Sequence, residues 1–461
     1  MEGACFRVAD RPELGGKAAV ATRRIRAGEV VLCEKPLHLW PVSVDALDAA
    51  ARALHERIVQ AWPEGDMGLA ASGGDLAGRT RLAVHMVARC GLPDDVLAQL
   101  DNFSRPTEFG GLDVQPLRVS VQIVAARVDE VRAVGAEAML EWLLVVMTNS
   151  HSFAGQRAAL HCTGSKFAHG CNPHVHYVSS EENGLVYRAV RDIADGQVIF
   201  FSYLGERDLW ASTARRQAVL RSSKLFRCAC ERCATDADFL RPLPCPSCGQ
   251  SRQMHSELRG VWACTGCSAE YADGDAAMQP FLDDERRLVD DVLYIGAQLH
   301  ALDAGMAQTL LLGFVMQATR EIGDGHWIVA AAHRALCELF FRLRVQLGDG
   351  DDAFFLTQAA KHAFTAFSFG ARHVAAACPA AMVAYAPFAF GVLALAGREA
   401  DARAVLAHYP TVEAAVGQPG ADADEDDEVL VMSRAYHAAV SSTPASSEAT
   451  TEGERGTAGG T

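Results

Sequence analysis

Seven of the 14 cysteines stand at spacings that suit a metal ion. Cys245-Pro246-Ser247-Cys248 and, fifteen residues on, Cys264-Thr265-Gly266-Cys267 are two Cys-x-x-Cys pairs, each on a glycine-bearing turn. Four thiolates make the closed tetrahedral set of a structural zinc, so a small zinc ribbon is expected there. Upstream, Cys228-Ala229-Cys230-Glu231-Arg232-Cys233 offers three ligands and needs a fourth. Further upstream lie Ser165-Lys166-Phe167-Ala168-His169-Gly170-Cys171-Asn172-Pro173-His174 and Asp195-Gly196-Gln197-Val198-Ile199-Phe200-Phe201-Ser202-Tyr203. The second is an apolar strand ending on a phenol. In most proteins such a tyrosine is only half-buried strand packing.

The composition narrows the field. The chain has 461 residues, half apolar and 21% charged, and carries a net charge of −15. That length predicts two to four domains. The acidic balance argues against a nucleic-acid binder, which needs clustered Lys and Arg to neutralise phosphates. Cysteines paired at ligand spacing indicate a reducing compartment, cytoplasmic or nuclear, rather than a disulfide framework. Residues 1–10 have no apolar core of signal-peptide length. His373 to Gly397 contains no Asp, Glu, Lys or Arg, but Pro379, Pro387 and Gly391 interrupt it. A buried helix pair is expected there, not a membrane span.

The elements that position these residues follow from periodicity. Ala18–Thr22 and Val30–Cys33 read as short strands around the Gly28 turn. From Asp45 to about Leu144 apolar residues recur at three- and four-residue spacing, which predicts a helical segment. Helices are expected again at Met278–Leu302, Ala307–Ile322, Trp327–Leu347, Phe354–Ala377 and Ala380–Ala407. Gly397 to Ala404 has the small-residue pattern of a tetratricopeptide turn. After Pro419 the acidic run Asp422–Glu428 leads into a Ser/Thr/Gly-rich tail that reads as disordered.

Taken in order, the H-x-C-x-P loop at His169, the G-x-x-I-x-x-S-Y strand ending at Tyr203 and the C-x-C-x-x-C cluster from Cys228 resemble a SET-domain protein methyltransferase. The likeness is greatest to the SET and MYND-domain family and covers about the first half of the chain. It implies an α+β fold: a mixed β SET core at 1–44 and 145–205, with a helical insert at 45–144. A post-SET zinc segment (206–236), the ribbon (237–276), an all-α domain (277–417) and the acidic tail (418–461) would follow. Cys90, His55 and His85 cannot build the two zinc sites of a MYND module, which is therefore expected to be absent.

The resemblance also implies S-adenosylmethionine-dependent methylation of a lysine on a protein or peptide substrate, by a monomer with no nucleic-acid or membrane partner. Tyr203 would orient the acceptor amine. Gly16, Lys17, Asn149, Ser165, His169, Tyr203 and Phe226 would contact the cofactor, with Phe226 stacked on its adenine. Cys171 would complete the zinc site of Cys228, Cys230 and Cys233, a role that spacing alone does not give it. Five positions depart from the family: Ala168 replaces Asn, Ala18 replaces Gly, Gly170 replaces Ser, His174 replaces Asn, and Lys224 replaces Tyr. A catalytically weak adaptor built on the same scaffold is the competing expectation.

Overall fold

Tight hairpins open the fold and bring distant segments alongside one another. The structure, a computed structural model, describes residues 5–14, 16–41, 47–62, 99, 103 and 114–408, less short breaks at 155–156, 236, 257–258, 299–301, 348–351 and 376–377. Strand β1 (Phe6–Arg11) pairs antiparallel with β2 (Gly16–Ala21). Gly16 has φ +142°, which only glycine adopts without strain. Strands β3 (Val30–Glu34) and β4 (His38–Pro41) lead to helix α1 (Ala49–Ala61), capped by Asp48, whose carboxylate accepts from Ala51 N at 2.8 Å. His55 is buried in α1, while His85, Cys90 and the tail from 409 lie outside the described residues.

Helices α2 (Gln115–Arg127), α3 (Asp129–Val134) and α4 (Ala136–Asn149) share one apolar core with α1, and the stretch of the expected helical segment at 63–113 lies outside the described residues except for 99 and 103. Strands β5 (His151–Phe153) and β6 (Arg157–Leu160) then pair with β4 in the order β4-β6-β5. Strand β7 (Ala168–His169) runs parallel to β10 (Phe200–Phe201), and β8 (Val175–Ser180) and β9 (Gly184–Ala189) join β3 in the order β3-β9-β8. Short helices α5 (Glu206–Leu209), α6 (Thr213–Lys224) and α7 (Glu231–Ala234) follow. A four-stranded sheet comes next: β11 (Leu243–Pro244), β12 (Ser251–Ser256), β13 (Val261–Cys264) and β14 (Glu270–Ala272).

Six helices complete the described chain: α8 (Gln279–Gln298), α9 (Ala304–Ile322), α10 (Trp327–Leu347), α11 (Asp352–Phe369), α12 (Pro379–Leu395) and α13 (Glu399–His408). The single helix expected over Ala380–Ala407 is thus two, broken where Gly397 takes φ +68°. No described helix is long and apolar enough to cross a membrane.

One core runs from the segment after Tyr203 through the four-stranded sheet into these helices. Trp210 is its hinge pin. Its indole Nε1 donates to Ala381 O at 3.3 Å, and its ring stands 5.1 Å from Tyr385. At Gly370 a Cβ would fall 2.5 Å from the Trp210 ring, so glycine is required there.

A largely buried Arg241–Glu285 ion pair, met by His326, joins the segment before β11 to the helices. Both guanidinium arms of Arg241 donate to Glu285 at 2.6 Å, and His326 Nε2 meets Glu285 Oε1 at 3.1 Å. Burial pushes the Glu285 carboxyl up, but His326 and Arg241 outweigh it and bring its pKa down to about 2. The triad's stabilisation is therefore present above the unfolded-state pKa of about 4.3 and is lost as pH falls toward about 2. Glu285→Gln removes the carboxylate from an Arg241 side chain that is 22% exposed, and a loss of about 1–3 kcal/mol is expected in urea unfolding at pH 7. A loss under about 1 kcal/mol would show that the triad is not a clamp.

Candidate active site and metal centres

The pairing of β7 with β10 sets the geometry of the site. Gly170 N donates to Phe201 O at 3.0 Å, and Tyr203 N donates to His169 Nδ1 at 3.0 Å. An acceptor at Nδ1 places the His169 proton on Nε2, which points at Cys171 Sγ, 3.3 Å away. Burial lowers the His169 pKa to about 3, so the ring stays neutral. The Tyr203 hydroxyl donates to Phe167 O at 3.0 Å, and burial raises its pKa well above the ordinary value. Tyr203 is therefore a fixed, neutral phenol, suited to orienting a group rather than to removing a proton.

The rings of His169, Tyr203 and Phe226 meet at centroid distances of 5.3, 5.8 and 6.1 Å. Phe226 reaches this place because helix α6 ends on Leu225 with φ +63°, a left-handed conformation costly for a leucine. Leu225 is fully buried in the core of α1 to α4, which holds it there. The same turn aims Lys224. Its ammonium donates to Met147 O at 2.9 Å and Ser150 O at 3.4 Å, and lies 5.6 Å above the Tyr203 ring. A cation at the C-terminal carbonyls of α4 is favoured by the helix dipole. Burial lowers its pKa to about 8.

Asn149, the last residue of α4, spends its amide on Val145 O and Thr148 Oγ1, at 2.8 and 2.9 Å. It lies one residue before Ser150, which holds Lys224. Gly16 and Lys17 begin the strand that packs beside β7. Lys17 is exposed, and with burial it lowers the pKa of Lys166. Ser165 is not brought into the ring cluster; its hydroxyl closes a turn onto Cys162 O at 3.1 Å.

Two of the departures have structural reasons. A Cβ at Gly170 would meet Phe200 Cβ at 2.9 Å, so the bulky Phe200 excludes serine. His174 Nδ1 accepts from Phe200 N at 3.1 Å and so fixes β10. Ala18 is fully buried, while its neighbours Ala19 and Ala21 are the residues of that strand that join the apolar core.

Sequence reasoning missed a second aromatic layer. His151 stacks on Phe201 at 5.3 Å, and its Nε2 lies 2.8 Å from the Tyr187 hydroxyl, with Tyr177 edge-on. His151 opens strand β5, two residues after Asn149. Beyond this layer opens a cavity of about 440 Å³, walled by Phe153, Val175, Tyr177, Phe201, Leu209 and Glu206. It shares no residue with the candidate cofactor set.

Both cysteine clusters assemble. The sulfurs of Cys171, Cys228, Cys230 and Cys233 lie within 4.8 Å of one another, as do those of Cys245, Cys248, Cys264 and Cys267. Cys171, which spacing could not assign, is thus in the first set. Arg216 is fully buried and reaches Cys233 Sγ at 3.8 Å, a counter-charge for thiolates. Arg232 fixes the same loop by donating to Cys171 O and Leu209 O, at 3.0 and 2.7 Å. Four converging sulfurs beside a guanidinium fit a tetrahedral zinc.

Residues 16–204 match the SET domain family. Over 87 residues the chain is 36% identical to a SET domain-containing protein of Acanthamoeba polyphaga mimivirus, which covers 19% of this chain and 32% of that protein. Over 72 residues it is 38% identical to SET6, a potential protein lysine methyltransferase of Saccharomyces cerevisiae, which covers 16% of this chain and 18% of that protein. The chain thus spans a third or less of the relatives it matches. It is a mixed α/β protein whose residues 16–204 match the SET domain, with two cysteine clusters able to bind metal.

Proposed function

We propose that the chain is a protein-lysine methyltransferase that uses S-adenosylmethionine and holds two structural zinc ions, one in each cysteine cluster. The observation that carries this reading is the cluster of rings around Tyr203, with a cavity beside the same chain segment. The rings of His169 and Phe226 pack around Tyr203, and the acceptor side is assigned to the cavity lined by its chain neighbours Phe201, Ser202 and Leu204. Methyl transfer needs donor and acceptor brought in line from opposite sides.

The residues present fit the cofactor. Phe226 offers a half-exposed ring to an adenine, and exposed Lys17 suits a carboxylate. The cofactor would supply an electrophilic methyl group on a sulfonium. Tyr203, held by Phe167 O, would orient the acceptor amine through its remaining oxygen lone pair. His169, neutral and fixed at both nitrogens, would set the position of the Tyr203 backbone. The cysteine cluster at Cys171 would hold the segment carrying Phe226 against β7.

Ala168 offers no side-chain hydrogen bond where the family has Asn. That subtracts about 0.5–1.5 kcal/mol per bond, so binding weaker by roughly 3- to 100-fold is expected. Calorimetric titration with S-adenosylmethionine should still return a micromolar to sub-millimolar Kd. No heat at millimolar ligand, where a site of about 4 kcal/mol half-fills, would leave the second reading, a zinc-stabilised SET-fold adaptor. Lys224 favours that second reading, since its ammonium already lies over Tyr203.

A further inference from the structure

The cavity beyond the aromatic layer is larger than one acceptor side chain requires. Its volume of about 440 Å³ lies in the range of ligand pockets. Its walls are mostly apolar, with Phe153, Tyr177 and Phe201 supplying ring surface. Among its lining residues Glu206 is the one carboxylate. Arg334 takes Oε1 of that carboxylate at 2.8 Å. Arg334 is pinned behind it between Trp210 and Tyr385, 4.8 and 4.7 Å from the two rings, and none of these three lines the cavity. The Arg334 side chain is 6% exposed, whereas that of Glu206 keeps 32%. The carboxylate is therefore fixed from the protein side and presented to the cavity.

An apolar, aromatic-walled chamber with one oriented carboxylate fits a side chain with a long methylene stem and a cationic head. The stem packs on the walls, the cation faces the rings, and the head pairs with the carboxylate. We infer that this cavity receives a second basic residue of the substrate, an arginine flanking the acceptor lysine, and that Glu206 selects it. The inference rests on the acceptor side proposed above. The net charge of −15 assists encounter with basic segments.

The test uses fluorescent peptides with a central lysine and an arginine scanned one position at a time on both sides. Binding to the full chain is read by anisotropy, and methylation of the same peptides by mass. One arginine position should bind about tenfold tighter than its citrulline counterpart, equivalent to about 1.4 kcal/mol. Glu206→Gln should reduce that ratio below about twofold, and Glu206→Asp should retain part of it. If Glu206→Gln does not fold by circular dichroism, the arginine–citrulline comparison on the unaltered protein still decides. Equal binding of arginine and citrulline peptides at every position, or no peptide binding, overturns the inference. Arginine-selective binding without methylation keeps it and sinks the methyltransferase reading. Methylation indifferent to arginine does the reverse.

Discussion

Stripping the proposed zinc from the Cys171–Cys228–Cys230–Cys233 cluster is expected to unfold the centre of the molecule, not merely to loosen a loop. A structural zinc contributes roughly 10–16 kcal/mol of binding energy that appears as folding energy. Whole domains are stable by only about 5–15 kcal/mol. The four sulfurs come from two places, the loop after β7 and the segment that ends in α7. Without the metal these would be crowded thiols beside a buried Arg216. The same core contains Trp210, Leu209 and Cys171, so the loss spreads to the packing of the C-terminal helices.

Purified protein should contain about two zinc ions per chain, on the four-thiolate count of each cluster. Cys171→Ser should lower that to about one and bring early proteolysis between α6 and α7. Cys264→Ser should also remove one zinc, yet leave the rings around Tyr203 and their cofactor affinity in place. An unchanged zinc count in Cys171→Ser would detach that residue from the metal. A count near one in the unaltered protein would remove one of the two sites outright.

Much of this site is legible in the sequence because its parts are short and local. Cys-x-x-Cys pairs fix their own turns, and His169, Tyr203 and Phe226 belong to segments whose order identifies them. What escaped depends on contacts between residues far apart in the chain. Glu206 meets Arg334 across 128 positions, and Arg241 meets Glu285 across 44. Neither pair leaves a periodic signal. His151 reads as a strand histidine until Tyr187 and Phe201 are placed beside it. Strand β1 escaped because Phe6–Arg11 alternates poorly, and its partner β2, not its own pattern, makes it a strand. Helix α12 ends where Gly397 turns left-handed, a break that the alanine-rich run conceals. Lys224 was visible as a departure, but its purpose was not. In the fold its ammonium lies over Tyr203 and closes the end of helix α4.

That dual position makes Lys224→Tyr the most informative substitution near Tyr203. With its pKa at about 8, Lys224 is mostly charged at pH 7. Two like charges about 6 Å apart repel by about 3 kcal/mol at an effective dielectric of 20. Removing the cation should therefore raise kcat/KM on a lysine peptide by roughly 10- to 100-fold at pH 7. Tyr203→Phe added to it should abolish the gain. The cost falls on stability: Met147 O and Ser150 O lose their donor, worth about 1–3 kcal/mol.

The pH dependence separates these effects. The folded-state pKa of Lys224 is about 8, below the unfolded value of about 10.4. Between the two the unfolded chain binds the extra proton, so stability rises with pH across that interval. The burial penalty is thus felt in full below about pH 8 and relieved above it. In the unaltered protein, activity and stability should both climb from pH 8 to 10. In Lys224→Tyr the stability slope should vanish, and the activity profile should keep only the rise due to the substrate's own amine. An identical activity profile in both proteins would mean that Lys224 acts only as the cap of helix α4 and does not reach the acceptor at Tyr203.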